Sequence, residues 1–156
     1  MVCITAVRYE DNNRGKIQNK ERAKQIIDFS GVRYGNITPT DIDGYFEKSD
    51  KAFVFYEYKL HGVEMPKGQA LALTRIVDGL STAGKDAVLF LCRHEEENPN
   101  NDIKASKALV ERIYWRGKWH EGIGLTVKEH TDKFMNWVFS LGEEDKVKGD
   151  VKTNEN

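Results

Sequence analysis

At 156 residues the chain has room for one folded domain with a buried core. Its 31% charged and 39% apolar residues exclude a disordered or membrane protein, and no apolar run approaches the roughly 20 residues of a membrane span. A formal net charge of −1 gives no overall pull toward nucleic acid, so phosphate binding would have to rest on a local basic patch or a metal ion.

The segment from Met1 to Val7 lacks the basic start and cleavage pattern of a signal peptide, which makes the cytoplasm the expected location. Cys3 and Cys92 are expected as reduced thiols, Cys92 within the apolar run that starts at Val88. From Lys16 to Phe29, Ala23, Ile26 and Ile27 recur among charged residues and predict an exposed helix. Between Asp41 and Lys59 the period falls to two around the polar tip Lys48-Ser49-Asp50-Lys51, and the second arm is dense in aromatic and β-branched residues: a hairpin. Pro66 suits the first turn of a helix whose stripe runs through Leu73, Ile76, Val77 and Leu80 and stops near Gly84.

Asp86 to Cys92 reads as a central strand, apolar almost throughout, and Asn98 to Asn101 as a loop. Leu109 to Trp119 predicts a second hairpin turning near Arg116-Gly117, although Asp102 to Val110 also suits a short helix. Thr126 and Glu129 have capping-box spacing before a helix carrying Phe134, Trp137, Val138 and Leu141, with Gly142 at its end. Residues 143–156 are polar and expected to be disordered, leaving a single domain over 1–142. This order of elements calls for an α/β fold, a mixed central sheet flanked by helices.

Residues two apart on a strand share a face, so Glu57 and Lys59 project together and Tyr58 points away. A turn through Ser49-Asp50-Lys51 sets Glu47 against Phe53 and Asp43 against Glu57. Two carboxylates about 4 Å apart would repel by roughly 4 kcal/mol at an effective dielectric near 20, and Lys59 with a hard divalent ion such as Mg²⁺ would offset that. Gln69, one helical turn before Leu73, can reach the same pocket with an uncharged amide.

At these residues the chain resembles the PD-(D/E)XK nuclease superfamily, with its Holliday-junction resolvase, RecB-nuclease and restriction-endonuclease branches. The resemblance is carried by Thr40-Asp41-Ile42-Asp43-Gly44-Tyr45-Phe46, by Val54-Phe55-Tyr56-Glu57-Tyr58-Lys59 and by Gly68-Gln69 opening a helix. It spans roughly Lys16 to His94; no Pro precedes Asp43, and the last third of the chain is not covered. The resemblance implies a restriction-endonuclease-like fold in which Asp43, Glu57 and the Tyr58 carbonyl bind Mg²⁺ or Mn²⁺. It also implies that Lys59 stabilises charge or positions the attacking water. Gln69 looks like a helix glutamine found in several branches, Asp41 falls where some carry an extra acid, and Glu21 matches a first-helix acid of others.

Each candidate also has a plainer reading. Glu57 and Lys59 can be a strand ion pair, Asp43 a turn residue before Gly44, and Gln69 an ordinary first-turn residue. Tyr114, Trp115, Arg116, Lys118 and Trp119, followed by His120, join aromatics and cations in the mix that stacks bases and contacts phosphates, or they form a hairpin with one aromatic face packed inward. Arg93, His94 and His61 could face substrate or be solvated strand ends. No zinc-ligand spacing, Gly-rich phosphate loop or serine elbow is present.

The expected function is therefore Mg²⁺-dependent hydrolysis of DNA phosphodiesters, endo- or exonucleolytic, possible as a homodimer within a recombination, repair, defence or mobile-element system. The alternative is a catalytically idle nuclease fold that acts by binding or inhibiting a partner.

Overall fold

The computed structural model describes Glu21 and residues 24–140. The chain divides into two compact units, Met1–Pro39 and Thr40–Asn156. In the first, the Val32 N–H bonds to the Phe29 carbonyl at 2.8 Å, and Tyr34 and Ile37 form an isolated bridge. Half of the helix expected from Lys16 to Phe29 lies outside the described residues; Glu21 is helical, but residues 25–29 are not. Ile26 and Ile27 are exposed there, so no packed apolar face sustains a helix.

The second unit is α/β, a five-stranded mixed sheet with two helices. Its strands are β1 (Gly44–Lys48), β2 (Ala52–Leu60), β3 (Asp86–His94), β4 (Leu109–Trp115) and β5 (Lys118–Glu121). Helix α1 (Lys67–Thr82) connects β2 to β3, and α2 (Val127–Ser140) follows β5. The sheet order is β1-β2-β3-β4-β5, parallel between β2 and β3 and antiparallel elsewhere.

Turn chemistry sets both hairpins. Ser49 and Asp50 take φ of 59° and 52°, as do Arg116 and Gly117 at 50° and 76°, the left-handed pairs whose twist matches flanking strands. With Lys51 as a third loop residue in the first hairpin, Lys48 pairs with Ala52, Glu47 with Phe53 and Gly44 with Tyr56. Helix α1 starts directly after Pro66 and ends where Gly84, at φ +80°, lets the Lys85 N–H reach the Leu80 carbonyl and the Gly84 N–H the Ser81 carbonyl. At the start of α2 the Glu129 carboxylate accepts the Thr126 N–H at 2.8 Å and the Thr126 hydroxyl accepts the Glu129 N–H at 3.3 Å. The segment open to a helical reading, Asp102 to Val110, holds one 3-10 turn at Ala105–Lys107 before β4. The polar tail, with Leu141 and Gly142, lies outside the described residues.

The two sheet faces bury separate cores. One packs Val54, Val88, Phe90, Cys92 and Val110 with Val127 and Phe134 of α2. The other packs Phe55, Ala87, Leu89 and Tyr114 with Leu73 and Val77 of α1. Ile76, expected on that stripe, is 38% exposed, because α1 meets the sheet along the line of Gln69, Leu73 and Val77.

Candidate functional site

The period of β2 sends Phe55 and Glu57 to the α1 face, and Glu57 ends there 1% exposed. A carboxylate at that depth is costly unless paired. Lys59, two residues on, brings its Nζ to 2.7 Å from Glu57 Oε1 while keeping 21% of its own side chain exposed. Glu57 Oε2 is buried with no hydrogen-bond partner. Burial pushes the Glu57 carboxyl above its ordinary range; the Lys59 hydrogen bond pulls it back, and the Asp43 and Asp41 carboxylates push it up again.

One step past the Gly44 to Tyr56 pair, Asp43 falls opposite Glu57. Its Oδ2 accepts the Tyr58 N–H at 2.7 Å, replacing a ladder bond where β1 gives out. The N–H and carbonyl of one strand residue point the same way, which directs the Tyr58 carbonyl to the Asp43 side. Gln69 is buried in the first turn of α1, and its amide nitrogen donates to Asp41 Oδ1 at a long 3.4 Å. Asp41, Asp43, Glu57, Lys59 and Gln69 thus gather at one end of the β1–β2 hairpin. Glu21 belongs to the first unit and pairs with Lys24 at 3.2 Å.

The donor set suits a hard cation in chemistry: carboxylates and a main-chain carbonyl, with one buried carboxylate oxygen lacking a partner. Among the described residues no three His, Cys, Asp or Glu side chains form a ready-made metal cage. A bound ion would therefore have Asp43, Glu57 and the Tyr58 carbonyl as protein ligands and water for the remainder, as Mg²⁺ commonly does.

The other candidates are spread out. Arg93, in register with Lys59, reaches Glu111 at 2.8 and 2.6 Å and donates to the Val63 carbonyl. Glu111 is presented by a bulge: the β3 to β4 register slips between Leu91 and Cys92, leaving Glu111 between the Arg112 and Val110 pairs. No periodic signal in the sequence marks that bulge. Tyr114 is buried on the α1 face, where its hydroxyl donates to Asp78 at 2.9 Å and Trp119 packs on it edge-on at 5.2 Å. Trp115 points to the α2 face, T-shaped against Trp137 at 5.5 Å, with the Arg116 guanidinium 4.6 Å from its ring centre. Lys118 is exposed at the turn. The aromatics of this hairpin therefore serve both faces of the sheet, a division that strand alternation alone requires of neighbours such as Tyr114 and Trp115.

His61 and His94 are joined through the main chain, the His61 N–H donating to the His94 carbonyl at 2.9 Å, and His120 lies tilted beside Trp115 at 6.2 Å. His130, on which sequence reasoning placed no role, is buried with Nε2 2.7 Å from the Gly122 carbonyl.

No protein-family model, curated protein or solved structure matches the chain.

Proposed function

We propose that the protein is a metal-dependent nuclease that hydrolyses DNA phosphodiesters, in the manner of the PD-(D/E)XK superfamily with its restriction-endonuclease-like fold. One observation carries this reading: Glu57 is buried, holds Lys59 at 2.7 Å with one oxygen and keeps the other without a protein partner, with Asp43 opposite. A purely structural ion pair at that depth would be expected to satisfy both oxygens.

Asp43, Glu57 and the Tyr58 carbonyl would hold Mg²⁺ or Mn²⁺, and the ion would supply a water of lowered pKa and charge neutralisation at the phosphoryl group. Lys59, fixed by Glu57 and partly open to solvent, would donate to a phosphate oxygen or to the attacking water. Gln69 would orient that water through its amide, steadied by Asp41. Cutting both strands of a duplex calls for two such sites, which favours a homodimer, and nuclease chemistry of this kind suits a recombination, repair, defence or mobile-element system.

The test is cleavage of labelled single-stranded, duplex and four-way-junction DNA, with RNA alongside, in Mg²⁺ or Mn²⁺ against EDTA. Lys59→Ala is expected to lose roughly 10²-fold or more in rate, on the scale of one removed charge-stabilising donor, with its circular dichroism retained. Full activity in that variant would sink the assignment.

A second reading has its own observation. Asp43 is committed to the Tyr58 N–H and Asp41 contacts Gln69, so both acids also have structural duties suited to an idle site in a binding or inhibitory protein. Calorimetric titration with Mn²⁺ separates the two, because an idle site has no need of an ion that Asp43→Ala abolishes.

A further inference from the structure

Beyond Lys59, at the carboxyl ends of the parallel pair β2 and β3, the sheet opens into a cleft of about 410 Å³. Such ends are where open α/β sheets take ligands, and the volume lies in the range of small-molecule sites. His61 and His94 both line it, linked by the His61 N–H donating to the His94 carbonyl. His94 Nδ1 is buried without a hydrogen-bond partner, which favours the tautomer carrying its hydrogen on Nε2. Lys104 and Lys107 line it and have no carboxylate partner among the described residues.

The charge balance decides what fits. Glu95, Glu96 and Asp102 line the same cleft, and Arg93 is already paired with Glu111. The site is therefore not the strongly positive pocket that a bare phosphate would need. Its walls also include Ala108 and the half-exposed side chains of Ile103 and Leu109. Apolar walls, a ring to stack on, donors and acceptors together, and the ammonium groups of Lys104 and Lys107 match a nucleotide, which has an apolar face, a polar edge and a phosphate.

We propose that this cleft holds an unpaired nucleotide of the strand lying across Glu57 and Lys59, an inference that rests on the nuclease reading. Only Leu60 separates Lys59 from His61 in the cleft, so the held nucleotide lies within a few positions of the bond being cut. Ile103, Leu109 and the His61 ring take the base, His94 Nε2–H and the cleft carboxylates meet its edge, and Lys104 and Lys107 take its phosphate. A perfect duplex offers no such nucleotide; the substrate class is single-stranded, frayed or branched DNA.

The test begins with the ring signals of the protein's four histidines in nuclear magnetic resonance, on titration with deoxyadenosine monophosphate or inorganic phosphate at matched ionic strength. His61 and His94 are expected to shift saturably with the nucleotide at concentrations where phosphate alone has no effect, while His120 and the buried His130 stay fixed. Equal response to phosphate, or equal shifts at all four, would overturn the proposal. In EDTA, fluorescence anisotropy should give at least tenfold tighter binding of an eight-nucleotide single strand than of a blunt duplex. Ile103→Ser with Lys107→Ala, both exposed positions, should remove that preference, and an unchanged preference would overturn the proposal. Nucleotide binding without metal-dependent cleavage keeps the cleft and discards the nuclease reading, whereas cleavage with silent histidines keeps the nuclease and discards the cleft.

Discussion

The Asp43 carboxylate accepts the Tyr58 N–H at 2.7 Å, so the acid set opposite Glu57 also fastens the end of the first hairpin to the strand that carries Glu57 and Lys59. The two duties separate by substitution. Asp43→Asn keeps an oxygen for Tyr58 and removes the charge, whereas Asp43→Ala removes both. Thermal unfolding should find Asp43→Asn close to the parent and Asp43→Ala less stable by about 1–3 kcal/mol, and calorimetry should find Mn²⁺ uptake lost in both. Undiminished Mn²⁺ affinity in Asp43→Asn would remove Asp43 from the proposed ion site.

Glu57 makes stability depend on pH with a definite sign. Its folded carboxyl titrates above the ordinary range, first because it is buried, so the folded protein binds more protons than the unfolded chain. The stability this confers is complete below the unfolded glutamate value, about 4.3, and is lost as pH rises through the folded value. Glu57→Gln has no proton to lose; it should be inactive yet more stable than the parent at pH 8, with the gap closing as pH falls toward 4. Urea unfolding across that range measures it, and a gap that widens toward acid would contradict the assigned sign. Saturating Mn²⁺ should reverse the order at pH 8, adding about 2.7 kcal/mol to the parent at a hundredfold excess over Kd.

Gly122 is required by close approach. A Cβ there would lie 1.7 Å from the Val110 carbonyl oxygen, while its own N–H bonds to the Glu111 carbonyl at 2.8 Å and its carbonyl meets His130 at 2.7 Å. Backbone on both sides cannot yield as a side-chain tip can. Gly122→Ala should cost about 1–3 kcal/mol or more, read as a lower urea midpoint, and an unshifted midpoint would contradict this packing.

Cys92 is fully buried in the α2-side core, and burial pushes its thiol up to about 12. Iodoacetamide at pH 8 should leave Cys92 unmodified in the native protein and label it in urea, as peptide mass spectrometry can follow. Equal labelling in both conditions would mean that β3 is not shielded.

The sequence made some of this legible through local chemistry and left the rest to packing. A turn through Ser49-Asp50-Lys51 and the alternation of β2 are enough to pair Glu47 with Phe53 and to put Glu57 and Lys59 on one face. Thr126 and Glu129 announce the start of α2 by spacing alone. How deeply Glu57 sits depends on where α1 docks, and helical periodicity could not say that Ile76 falls outside the packed line. Arg93 reads equally as facing substrate or as a solvated strand end until the bulge at Glu111 supplies its partner. The orphaned nitrogen of His94 arises from its tertiary surroundings, on which sequence spacing is silent.

Strand order in the sheet repeats strand order along the chain, and two of the four neighbouring pairs, β1–β2 and β4–β5, are joined by tight turns. Hairpins of this kind close on the microsecond scale, and low sequence separation between partners speeds folding. The slow event should be the parallel docking of β3 on β2, which must wait for α1 to close the intervening loop. That step also buries Glu57 beneath α1. The rate at which the sheet closes and the rate at which the proposed ion site first exists are therefore one rate, and a substitution that slows the docking of α1 would delay both together.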